Sequence, residues 1–108
     1  MNGPFLLEAK TIAREMNRML PGCFLLCDVA KVVRSVGRAE RELPTDLLAR
    51  VGGKDAVWFY YEYTQNAKQA FELECQYYHR HFSTLTKRFH PKRPEGKDWT
   101  CSVGCGYK

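Results

Sequence analysis

The chemistry in this 108-residue chain is concentrated in one stretch, residues 65–82, and in a cysteine pair near its end. Ala67, Phe71, Cys75, Tyr78 and Phe82 recur at three- and four-residue intervals, which is the period of one helix face. Glu74 falls beside that apolar stripe, three positions after Phe71 and four before Tyr78. A carboxylate there must be paired, metal-bound or shifted in pKa, because burying an unpaired charge is costly. Cys75 and His79 are one helical turn apart, a ligand-pair spacing. Cys101 and Cys105 form a second pair on a short C-terminal loop. Cys75, His79, Cys101 and Cys105 together offer the four N/S ligands that a structural Zn²⁺ takes, with His90 as an alternate to His79. The competing expectation is free cysteines on a loose tail.

The elements that must position these residues follow from the local pattern. Residues 4–20 read as an opening packing helix with Leu6, Leu7, Ile12, Met16 and Met19 on one face, and Pro21-Gly22 stops it. Gly22–Cys27 and Lys31–Val36 read as two strands joined by Asp28-Val29-Ala30 as an antiparallel hairpin, the second ended by Gly37. Pro44 suits the first turn of a short helix through Asp46–Val51, closed by Gly52-Gly53. The aromatic run Val57–Tyr63 reads as a third strand, and the helix carrying Glu74 follows. Beyond Phe82 the periodicity stops, and Lys87, Arg88, Lys92, Arg93 and Lys97 are interleaved with Pro91, Pro94 and Gly96. Such a basic tail lacks the apolar content to order itself. Trp99 and the two cysteines imply that something pins it.

Composition narrows the class. A 44% hydrophobic content suits a folded single domain, and 17 Lys/Arg against 12 Asp/Glu give a net charge of +5, which favours a polyanionic partner. No apolar run reaches the ~18 residues of a membrane span. The start lacks a basic segment followed by an apolar one, so no secretory signal is expected. Five cysteines, two of them in an apolar strand-like run, favour reduced thiols in a cytoplasmic compartment.

From about Pro21 to His79 the order of elements and motifs resembles the GIY-YIG nuclease domain. Gly22-Cys23-Phe24 stands where the GIY triplet would be, and Ser35-Val36-Gly37 where YIG would be, with Arg38 following. Asp46-Leu47-Leu48-Ala49-Arg50-Val51 is similar to that family's D-L-x-x-R-L segment, and Ala70–Glu74 to the segment bearing its metal-binding glutamate. The resemblance implies Arg50 as the catalytic arginine and Glu74 as the ligand of a catalytic Mg²⁺ or Mn²⁺. Phe24 and Ser35 then replace the two tyrosines that position and deprotonate water. The tail also resembles the His-Pro…Trp-x-Cys-Pro-x-Cys ending found after some such domains, with three residues between the cysteines and Ser102 in place of the proline.

The expected architecture is therefore α+β: a three-stranded antiparallel sheet flanked by helices, GIY-YIG-like. Its organisation is a packing helix over 1–20, the GIY-YIG-like domain over 21–83 and a basic tail over 84–108. In phosphodiester cleavage Arg50 would clamp the phosphate with its planar fork and Glu74 would hold the hydrated ion. Arg38, Lys92 and Arg93 would contact the nucleic acid, DNA before RNA. Without the phenols the general base is missing; His79, Tyr60 and Tyr61 are the remaining candidates, and nothing in the sequence aims any of them at a water. The readings are a nucleic-acid-binding endonuclease with weakened or lost activity, an inactive module that binds nucleic acid or a protein, or a structural zinc protein whose basic tail contacts RNA. If Arg50 and Glu74 are only structural, they form an ion pair tying two helices together.

Overall fold

Gly22–Cys27 is the strand around which the rest is built: all six residues are buried, as a continuous apolar run requires when both sheet faces are covered. The computed structural model describes residues 1–107. Among them the chain runs β1 (Asn2–Leu6), α1 (Ala9–Glu15), β2 (Gly22–Cys27), β3 (Val33–Ala39), α2 (Leu43–Leu48), β4 (Trp58–Tyr63) and α3 (Ala67–Arg80), then a short 3-10 turn, Phe82–Thr84. The sheet has the order β1-β4-β2-β3, and every neighbouring pair is antiparallel.

One face of β2 and β4 carries Phe24, Leu26, Phe59 and Tyr61, which pack with Ile12 and Met16 near α1 and with Leu43 and Leu47 of α2. The opposite face carries Leu25 and Cys27, packed with Tyr78 of α3 and with Leu85. The α+β expectation holds as a layered fold with helices on both sheet faces. Four strands replace the expected three. Asn2–Leu6 does not continue a helix but pairs with β4, Phe5 opposite Phe59 and Leu6 opposite Trp58. A short apolar run fits either period, and here the open edge of β4 decides it. Pro4 is tolerated because β1 is an edge strand. The helix expected over residues 4–20 shrinks to Ala9–Glu15.

Two boundaries also move. Gly37 lies inside β3 rather than ending it, directly opposite Phe24. A Cβ at Gly37 would strike the Phe24 ring, so the close crossing of the two strands needs glycine there. The second helix ends at Leu48, so Arg50 sits in the following turn, its N–H donating to Leu47 O at 2.9 Å. Asp28 holds the β2–β3 turn: Oδ1 accepts from the N–H groups of Ala30 (2.9 Å) and Val32 (3.0 Å), and Oδ2 from Arg34 Nε (2.9 Å). At the start of α3, Asn66 Oδ1 accepts from Gln69 N–H and Gln69 Oε1 from Gln65 N–H, each at 2.9 Å. This reciprocal cap fixes where the helix begins and hence which residues face the sheet.

Candidate functional site

Two sites meet on α3. The first is centred on Glu74, which the helix period turns toward β3, leaving only 9% of the residue exposed. Its carboxylate is not bare. Arg38, projecting from β3, donates from Nη1 to Glu74 Oε1 at 2.6 Å, and both side chains are largely covered. The other arm of Arg38, Nη2, donates to the carbonyl of Lys92 at 2.5 Å. Arg38 therefore joins β3, α3 and the tail through one guanidinium. Burial pushes the Glu74 carboxyl above its ordinary range, and the Arg38 hydrogen bond and charge only partly oppose this.

Arg50 and Glu74 line a common concavity of about 570 Å³ with Arg38, Arg41, Asp46 and Lys92. They also line an adjoining cavity of about 480 Å³, which Ser35 borders. Phe24 lies beneath, 1% exposed, with the Arg50 guanidinium 5.5 Å over its ring. Arg50 and Glu74 thus share an opening, but the ion pair expected between them is not formed: the partner of Glu74 is Arg38, because β3 brings that residue directly against α3. Arg41, Arg50 and Lys92 make no ion pair among the described residues. Arg93 lines neither cavity; its guanidinium lies 4.6 Å over the Tyr107 ring.

The second site is the His/Cys cluster. His79, His90, Cys101 and Cys105 bring one donor atom each to within 4.8 Å of one another, a set that could hold a metal ion. His79 Nε2 lies 3.5 Å from Cys101 Sγ, and His90 Nε2 lies 3.3 Å from Cys105 Sγ. Zn–S and Zn–N bonds of ~2.3 and ~2.0 Å at tetrahedral angles put sulfur and nitrogen about 3.5 Å apart, so both contacts match the edge of a zinc tetrahedron. His90 Nδ1 lies 2.8 Å from Pro91 O. A proton on Nδ1 satisfies that carbonyl and leaves the Nε2 lone pair facing the cluster. Burial would raise the Cys101 thiol. The backbone N–H of Val103, His90 and the Cys105 segment outweigh it and hold the thiol at about 5, which favours the thiolate a metal takes.

Cys75 is not part of this set. It is fully buried with Phe71 and Cys101 in an apolar cluster, and burial pushes its thiol up to about 12. His79 projects to the cluster one turn later, and His90 fills the fourth position beside it instead of replacing it. The His-Pro step at residues 90–91 was the signal for His90, whereas the turn spacing favoured Cys75. The wider loop between the cysteines closes because Gly104, at φ 75°, donates its N–H to Cys101 O at 3.0 Å. Trp99 packs on Phe71 with ring centroids 5.8 Å apart, Tyr107 stacks on His90 at 4.0 Å, and Ser102 Oγ donates to Glu72 O. The tail is thereby lashed to α3.

Among the described residues no helix is long and apolar enough to cross a membrane. No family model, curated protein or solved structure matches the chain. The GIY-YIG resemblance rests on the motif residues of this chain alone.

Proposed function

We propose that this chain is a nucleic-acid-binding module of the GIY-YIG type, closed by one structural zinc ion, in which phosphodiester hydrolysis is weak or absent. The observation that carries the reading is the Arg38–Glu74 pair beside Arg50: a guanidinium stands against the only carboxylate that the resemblance offers to a catalytic ion. Glu74, buried and already bonded to arginine, is a poor ligand for Mg²⁺ or Mn²⁺, which prefers accessible oxygens and its own waters; the exposed Glu40 and Asp46 that line the same opening are not the carboxylate the resemblance names. Phe24 and Ser35 supply no phenol at the two positions where the resemblance places the groups that prepare a water for attack.

What remains suits phosphate binding. Arg41, Arg50 and Lys92, which make no ion pair among the described residues, outnumber the exposed carboxylates Glu40 and Asp46 around one opening, and Arg offers a fork that fits a phosphate. Residues 84–108 hold six Lys/Arg and two Asp/Glu, so +4 of the net +5 lies on the tail that the His/Cys cluster would fix beside this opening. The zinc is structural in this reading, because four protein ligands leave no open position.

The experiment is binding of fluorescent DNA and RNA oligonucleotides at 50 and 200 mM salt, with plasmid nicking in Mg²⁺ or Mn²⁺ measured in parallel. Three phosphate contacts predict a loss of roughly 40-fold in affinity over that salt range. Arg50→Ala and Lys92→Ala should each weaken binding, with nicking at background throughout. Salt-independent or absent binding would remove the nucleic-acid reading, and robust nicking abolished by Glu74→Ala would establish an active nuclease.

A further inference from the structure

The cavity of about 480 Å³ differs in character from its neighbour. Leu26, Val36, Ala56, Leu85 and Phe89 give it apolar walls, Asp55 and the arginine-paired Glu74 add two carboxylates, and Arg50 borders both cavities. Its volume lies within the range of about 300–1,000 Å³ typical of small-ligand pockets. Phe89 is 82% exposed on its rim, in the tail segment that the Tyr78 hydroxyl holds by donating to Arg88 O at 3.0 Å. Leaving a phenylalanine this exposed forgoes its burial energy, and a docking partner would recover it. The rim also carries Lys87, which, like Arg50, makes no ion pair among the described residues.

An aromatic platform, apolar walls and adjacent unpaired cations form the pattern that takes a base on its flat face and a phosphate on its charge. We infer that this cavity receives one unpaired nucleotide: the base enters between Phe89 and Val36, while Arg50 and Lys87 hold its flanking phosphates. The inference rests on the nucleic-acid reading above and adds the substrate class, since a base stacked within a duplex cannot reach such a pocket without leaving the stack. The module would thus favour single strands, bulges or frayed ends over continuous duplex. Charge favours this occupant over an apolar peptide, because Arg50 and Lys87 outnumber Asp55, the one lining carboxylate that makes no ion pair among the described residues.

The test compares Kd by anisotropy for three matched probes, made in DNA and in RNA: a fully paired duplex, the same duplex with one unpaired purine, and the single strand. The bulged duplex and the single strand should bind about tenfold tighter than the paired duplex, the size expected of one stacked base. Phe89→Ala, which touches no core contact, and Ala56→Trp, which fills the cavity, should each bring that ratio close to one. Circular dichroism of both variants checks that the sheet is intact. Equal affinity for all three probes in the parent protein, or a ratio unchanged in Phe89→Ala, would overturn the pocket while leaving the nucleic-acid reading in place. Absence of binding to every probe would overturn both.

Discussion

The sheet and the tail of this protein are held together by different physics. Residues 2–85 are layered: β2 is covered on both faces, and apolar clusters on each side contain Phe24, Phe59, Leu43 and Leu47 or Leu25, Tyr78 and Leu85. The segment after Thr86 contains no helix or strand among its described residues. Its anchors are the His79/His90/Cys101/Cys105 group, the Tyr107–His90 stack, Trp99 on Phe71 and the Arg38 bond to Lys92 O. The thiols record the same division. Burial raises Cys23, brings Cys27 to about 11 and Cys75 to about 12, whereas Cys101 is held at about 5 by its hydrogen bonds. Apolar burial makes a thiol an inert small hydrophobe, and converging N–H and imidazole groups favour its thiolate. A basic chain too polar to form its own core is ordered by docking on a helix that already belongs to one.

Phe59→Ala removes a ring that is 0% exposed at the centre of the larger cluster and should cost about 3–5 kcal/mol in urea unfolding. That is a large share of the stability of a domain this size. A loss below about 1 kcal/mol would mean that the core is centred elsewhere.

Arg38 joins the two regions. Arg38→Ala leaves the Glu74 carboxylate buried without its partner and should cost about 3 kcal/mol at pH 8. The sign of its pH dependence follows from Glu74. The folded-state pKa is already raised by burial, and losing Arg38 raises it further. Protonation then relieves the buried charge, so the destabilisation should shrink as pH falls through the folded pKa and grow as pH rises through it. A pH-independent loss would assign the effect of Arg38 to packing.

From the tail side, chelation is the sharper tool. Tag-free protein should carry one zinc per chain, as a single four-ligand site implies. Chelator or Cys101→Ser should release the metal and make residues 86–107 protease-sensitive, while the urea midpoint of the sheet moves little. Cys101 and Cys105 should become titratable on chelation, and Cys23, Cys27 and Cys75 only on unfolding. Loss of the sheet together with the metal would abolish the distinction between the two regions.

The smallest effect is expected at the β2–β3 turn. The Val32 N–H, the Arg34 side chain and the Ala30 N–H hold the Asp28 carboxyl below its ordinary value of 3.8. A carboxyl depressed in the folded state contributes stability above its unfolded pKa and loses it as pH falls through the folded one. Thermal midpoints should therefore decline below about pH 4 in the parent protein. In Asp28→Asn the Asp28 component of that decline should be missing.

Local sequence determined the pieces whose cause is local. The apolar run Gly22–Cys27 between Pro21 and Asp28 read as a strand, and the Phe71/Cys75/Tyr78 period placed Glu74 beside the buried stripe. The aromatic run before Asn66 had to be a strand, and Trp99 with its cysteines had to be pinned. Tertiary structure decided everything that depended on a neighbour distant in sequence. Phe5 and Leu6 became a strand because β4 had an open edge. Glu74 took Arg38 instead of Arg50 because β3 lies against α3. His90 joined the cluster of candidate donors and Cys75 fell outside it because the tail returns past the end of α3, where spacing along the helix no longer says which donors converge. Periodicity reports the face on which a side chain lies, while a metal or an ion pair is selected by distance through space, which the packed layers alone create.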